Sequence, residues 1–187
     1  MATSRMKKQY DKEIVPALQK ELGVKNRYAA PKFVKAVINV GLKHGVKDAK
    51  FVDAAERTLI KISGQKPVKT KARKSIASFK IREGNIVGMK VTMRGRRMYD
   101  FIDKLINLTL PRVRDFRGLL DKSVDKHGNL SIGFREFVAF PEISPEDTEI
   151  PHGLEITIVT DAGDREKGLA LLKAAGFPFR TTKSKQQ

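Results

Sequence analysis

The sequence contains no cysteine, so it can form neither a disulfide framework nor a thiolate metal site, a composition that suits a reducing cytosol. Its apolar runs are a handful of residues long, far short of the roughly 20 that a membrane-spanning helix needs. No uninterrupted apolar stretch follows the first Lys and Arg residues, which argues against a secretory signal. Histidine is scarce: His44 and His127 read as loop residues, and His152 stands near Asp147, Glu149 and Glu155 in a proline-flanked loop with no second histidine at ligand spacing. A GxxxxGK phosphate loop, a GxGxxG turn, a cysteine nucleophile and a G-x-S-x-G elbow are all missing. These absences remove the support for nucleotide-dependent, metal-dependent and covalent catalysis, so the expectation is no enzyme, no cofactor and no metal.

What is present is positive charge. The 187 residues carry 38 Lys and Arg against 21 Asp and Glu, a net charge of +17. With 40% hydrophobic residues this is a chain able to bury a core, and its length fits one globular domain. The charge is uneven: residues 61–97 carry +11 and residues 136–164 carry −8. Within 61–97 the only acid is Glu83, so like charges repel unless a polyanion is bound, and a phosphate backbone is the obvious candidate. The same block lacks the apolar helical face and aromatic anchors of a membrane-surface helix.

Apolar periodicity predicts the elements. Met6, Tyr10, Ile14, Leu18 and Leu22 mark a helix closed by Gly23, which Pro16 should kink or split. Phe33 to Val40 reads as a strand with Val34, Ala36, Ile38 and Val40 inward and Lys35 and Asn39 outward. Phe51 to Ile62 is a helix that ends at Gly64, with Pro67 beyond it. The basic block then supplies a short strand from Val68 to Thr70, the run Ile76 to Ile81, a turn at Arg82 to Asn85, and a strand in which Val87, Met89, Val91 and Met93 alternate with Gly88, Lys90, Thr92 and Arg94. A third helix carries Met98, Phe101, Ile102, Leu105 and Ile106 and stops near Pro111. Strands flank the turn Asp125 to Asn129, Phe140 to Pro151 is loop, Leu154 to Ile158 is a strand, and Asp161 or Asp164 caps a last helix ending at Gly176. Phe134, Phe137 and Phe140 read as core, because their spacing breaks the strand parity of an aromatic RNA-binding motif.

Several strands are joined by short turns, so the predicted class is α+β: a two-layer fold with a mainly antiparallel sheet, helices packed on one face and the other face open. The domain is expected to run over 1–179 with an extended basic loop at about 71–84, followed by a basic, disordered tail at 180–187. On the open face the strands put Lys35, Asn39, Lys90, Thr92 and Arg94. Cations attract phosphates without reading them, whereas Asn39, Gln65 and Thr92 can hydrogen-bond bases, sugars or phosphates in a fixed register.

The run LIKISGQKPVKTKARKS from Leu59 to Ser75 resembles the signature of the bacterial ribosomal protein L5 family. Ile38-Asn39-Val40-Gly41, Val91-Thr92-Met93-Arg94-Gly95, Leu110 to Gly118, Phe140-Pro141-Glu142-Ile143 and Gly176-Phe177-Pro178-Phe179 are similar to further hallmarks of that family, in family order. The resemblance implies a non-enzymatic constituent of the large ribosomal subunit, located in the cytoplasm. It implies contacts with 5S rRNA through Asn39, Gln65 and Thr92, and the cations Lys35, Lys66, Lys90 and Arg94 beside them complete the expected 5S rRNA-binding set. It also implies that the loop with Lys71, Arg73, Lys74, Ser75, Lys80 and Arg82 reaches the P-site tRNA. Further partners would be 23S-type rRNA, neighbouring proteins of the central protuberance, and a small-subunit head protein met through an intersubunit bridge. The alternative from composition alone is a stand-alone RNA-binding or RNA-chaperone module, which would more naturally carry its charge in tails and its stacking aromatics in the open.

Overall fold

The computed structural model describes residues 4–42, 49–144 and 152–180. Five strands form one sheet: β1 (Phe33–Gly41), β2 (Val68–Lys71), β3 (Ile86–Met93), β4 (Leu130–Phe134) and β5 (Leu154–Thr160), in the order β2-β3-β1-β5-β4. Pairing of β1 with β3 and of β3 with β2 is antiparallel, and helices join the strands, so the chain is α+β as its pattern predicts. The described residues fall into two compact units of interleaved sequence, one drawn from 1–35, 94–131 and 158–187, the other from 36–93 and 132–157.

In the second unit, α3 (Ala49–Ser63) buries Val52, Ala55, Leu59 and Ile62, and the strands bury Ile38, Val40, Met89 and Val91. Burial of each of these side chains other than Ala55 is worth roughly 1.5–3 kcal/mol, which is what ties the helix to β3. Lys69 leaves the cationic set here: it lies opposite Met89 and its Nζ meets Glu56 Oε2 of α3 at 2.8 Å. Phe137 and Phe140 are fully buried, as expected of core residues. His152 is a core residue as well, its ring 4.4 Å from that of Phe137 and 6.0 Å from that of Phe51.

In the first unit, α1 (Arg5–Gln9) and α2 (Val15–Leu22) pack with α4 (Gly95–Lys104) and α6 (Arg165–Ala174), and Gly23 closes α2 with a left-handed φ of 65°. The first helical run splits, as the sequence predicts, into α1 and α2, with Pro16 in the first turn of α2. A π-helical turn, Tyr10–Ile14, precedes it and joins α1 to α2. A second π-turn, Leu105–Thr109, joins α4 to α5 (Leu110–Arg112), and the helix ends one residue past Pro111, as the sequence predicts. A proline lacks the N–H that an upstream carbonyl needs, and shifting the pairing to i→i+5 re-pairs the turn ahead of it. Asp164 is the cap of α6, accepting from Lys167 N at 2.8 Å, while Asp161 instead accepts from Lys32 N at 2.6 Å. Residues 43–48, with the expected loop residue His44, 145–151, in the expected loop Phe140 to Pro151, and 181–187, most of the expected tail, lie outside the described residues.

Candidate nucleic-acid interface

The register of β1 against β3 decides which side chains share a face. Asn39 lies directly opposite Lys90 and Val37 opposite Thr92, while Val68 of β2 lies opposite Lys90 from the other side. Directly opposed residues of an antiparallel pair point to the same face, so Val68, Lys90 and Asn39 form one row across three strands. Asn39, Lys90 and Thr92 are all exposed, as the alternation predicts, and their neighbours Ile38, Met89 and Val91 are buried beneath. The next row is almost bare. Gly41 opposes Gly88, and a Cβ added at Gly88 would lie 2.9 Å from Thr70 Oγ1 and 3.1 Å from Val40 O, so only glycine fits there. Thr70 of β2 packs over Gly88, which is buried, so in this row only the backbone at Gly41 is exposed beside the polar and cationic row.

Gln65 and Lys66 sit in the link between α3 and β2. Gly64 ends the helix with a φ of 65°, and Ser63 Oγ donates to Leu59 O at 2.6 Å and accepts from Gln65 N at 3.2 Å, so the start of this link is fixed to the helix end. Gln65 is half-buried and Lys66 exposed. Asn39, Gln65, Lys66, Lys90 and Thr92 thus belong to one compact unit. Lys35, half-buried near the start of β1, and Arg94, the exposed N-cap of α4, belong to the other.

The basic loop between β2 and β3 is itself a hairpin. Ala72 N donates to Asn85 O and Gly84 N to Ala72 O, and farther out Ile76 and Ile81 exchange backbone hydrogen bonds of 2.9 and 3.2 Å. The tip is a 3₁₀ turn over Ala77–Phe79, followed by Lys80 at a φ of 54°. Ser75 Oγ accepts from Glu83 N at 3.0 Å, so this hydroxyl helps to close the loop. Lys71, Arg73, Lys74, Lys80 and Arg82 are all exposed. Two apolar groups that the alternation did not single out stand among them: Phe79, 69% exposed, and Ile76. The sequence signal for Phe79 is an aromatic residue inside a run of cations, next to Lys80 and three residues from Arg82.

Among the described residues, no group of three or more His, Asp or Glu side chains could hold a metal ion, and no helix is long and apolar enough to cross a membrane. The chemistry offered is adhesion: fixed polar groups beside long cationic side chains, on a rigid sheet.

Comparison with known proteins gives the same direction. A family model described as ribosomal protein L5 matches residues 26–82, and a second, describing the C-terminus of the same ribosomal family, matches residues 86–179. The chain is similar to the large ribosomal subunit protein uL5 of Dichelobacter nodosus (strain VCS1703A), 51% identical over 177 residues, covering 95% of this chain and 99% of that one. It is 50% identical to that of Roseiflexus castenholzii (strain DSM 13941 / HLO8) over 176 residues, 94% of this chain and 98% of the relative. With the protein of the same name from Carboxydothermus hydrogenoformans (strain ATCC BAA-161 / DSM 6008 / Z-2901) it shares 48% over 175 residues, with the same coverage.

Proposed function

Because the chain belongs to the ribosomal protein L5 family, structural and non-enzymatic proteins of the large ribosomal subunit, we propose that its exposed sheet face binds 5S rRNA and helps to attach it in the central protuberance. The family places the protein in the cytoplasmic ribosome, with ribosomal RNA as its partner. The observation that carries the finer reading is the row Asn39–Lys90 with Thr92 on the same exposed face, above a buried core. Lys90 and Lys66 supply attraction to phosphates; Asn39, Thr92 and Gln65 supply directional hydrogen bonds that accept one RNA geometry and reject others. Lys35 and Arg94 add charge at the ends of the same two strands. The basic hairpin is assigned to the backbone of the P-site tRNA, since its exposed cations can bind phosphate without reading sequence. Contacts with 23S-type rRNA, with neighbouring proteins of the central protuberance and with a small-subunit head protein complete the proposed set.

The test is the pair Asn39→Ala and Thr92→Ala. Each lost hydrogen bond should cost about 0.5–1.5 kcal/mol of 5S rRNA affinity. Both side chains are exposed, so the melting temperature should stay unchanged. Unchanged affinity in the double variant would refute the sheet-face assignment.

A further inference from the structure

A second aromatic stands outside everything assigned so far. Of the three tyrosines, Tyr10 and Tyr99 are buried in a cluster with Phe33, with centroid separations of 6.2–6.5 Å, whereas Tyr28 is 90% exposed. It sits in the 3₁₀ turn Arg27–Ala29, and among the described residues its ring has no aromatic or cationic partner. The turn beneath it is fixed on every side. Asn26 caps it by accepting from Tyr28 N at 2.9 Å, and Gln19 Nε2 donates to Lys25 O at 3.1 Å. Ala30 and Pro31 are buried; Tyr10 Oη donates to Pro31 O at 3.0 Å, and Lys32 exchanges hydrogen bonds with Asp161. A large ring held outward on a rigid support loses little entropy when something stacks on it.

We infer that Tyr28 is a stacking platform for an unpaired nucleobase of ribosomal RNA, with Lys25, Arg27 and Lys32 meeting the flanking phosphates. The charge around the ring favours a polyanion: Lys25, Arg27, Lys32 and Lys7 stand against Asp11, which binds Lys7 and Arg27, and Asp161, which lies 3.5 Å from Lys32 Nζ. Lys25, Arg27 and Lys32 are exposed and can turn towards phosphates, whereas Lys7 is half-buried, held by Asp11 and lying over the rings of Tyr10 and Tyr99. Unpaired RNA bases are recognised by stacking on aromatic faces, and the 3₁₀ turn presents one with cations on both sides in the chain. The inference rests on the ribosomal RNA-binding reading given above.

The experiment compares the full chain with Tyr28→Ala and Tyr28→Phe, titrated against 5S rRNA and, separately, against a large-subunit rRNA transcript, at several salt concentrations. Alanine should weaken binding to one of the two RNAs about tenfold, within the range known for a single base-stacking aromatic, and phenylalanine should bind like the parent. The salt slope should be the same in all three proteins, because stacking releases no counterions. Parental affinity of Tyr28→Ala for both RNAs overturns the inference and points to a protein neighbour for the ring. Equal losses in Tyr28→Phe overturn it too, since the hydroxyl would then be the contact. Running the Asn39→Ala, Thr92→Ala double variant alongside separates the two readings: if it loses 5S rRNA affinity and Tyr28→Ala does not weaken binding to either RNA, only the Tyr28 inference falls.

Discussion

A methyl group added at Gly168 would collide with the Cα of Gly128 and stand 2.6 Å from its carbonyl oxygen, because α6 presses directly on the turn before β4. Overpacking of this kind typically costs about 1–3 kcal/mol, and at this chain length each kcal/mol lowers the melting temperature by roughly 2–4 °C. Gly168→Ala should therefore melt several degrees early, while Gly133→Ala, whose new methyl meets nothing within 4 Å, should melt with the parent. Nothing in the sequence marks Gly168, since a glycine inside a helical pattern carries no trace of what crosses it. Asp164, by contrast, was legible as a cap candidate because it precedes the last apolar stripe, and only the contact with Lys167 N decides it over Asp161. The buried tyrosines give a second residue-level test. Burial pushes the Tyr99 hydroxyl up to about 12, with the charges of Asp11 and Asp161 adding to it, and burial moves Tyr10 the same way. The unfolded value is about 10, so these groups resist ionisation in the folded state. Their stabilisation is complete below about pH 10 and is lost as pH rises from there towards 12. Ultraviolet titration of the Tyr28→Phe variant, with circular dichroism in parallel, should show Tyr10 and Tyr99 ionising above that point and as the fold is lost; their ionisation near pH 10 with the fold intact would contradict the packing.

At the scale of elements, what was legible is what one buried face writes into a strand. β1 and β3 alternate because Ile38, Val40, Met89 and Val91 are buried while Asn39, Lys90 and Thr92 are exposed, and so the exposed row could be read before any register was known. The basic loop carried no such record. Its closing pair, Ile76 and Ile81, is exposed at Ile76 and half-buried at Ile81, and backbone bonds between residues outside the core leave no periodicity. The prolines marked the right places, Pro16 in the first turn of α2 and Pro111 one residue before the end of α5, while nothing in the apolar pattern foretold the π-turn that precedes each. The hairpin yields its own prediction. Neutralising Arg73, Lys74, Lys80 and Arg82 together should leave 5S rRNA affinity nearly unchanged beyond the general loss of charge, yet weaken tRNA retention in assembled ribosomes. A large 5S rRNA loss with unaltered tRNA binding would move the loop into the primary RNA interface.

For the whole molecule, a net charge of +17 guarantees attraction to any nucleic acid, so affinity alone distinguishes nothing. The segment carrying +11 contains β2, the basic hairpin and β3, so the strongest long-range field accompanies the elements that bear Lys90 and Thr92. That arrangement separates two contributions that respond differently to ions. On the proposed sheet-face reading, phosphate contacts fade with salt, while hydrogen bonds from Asn39, Gln65 and Thr92 persist and carry the preference for one RNA. The most direct measurement is equilibrium binding of the full chain to 5S rRNA and to an unrelated RNA of equal length, across about 50 to 200 mM salt. With about six phosphates neutralised, both affinities should fall roughly a thousandfold, and 5S rRNA should remain the tighter ligand throughout. A flat salt response, or equal affinity for the two RNAs at every concentration, would contradict the account.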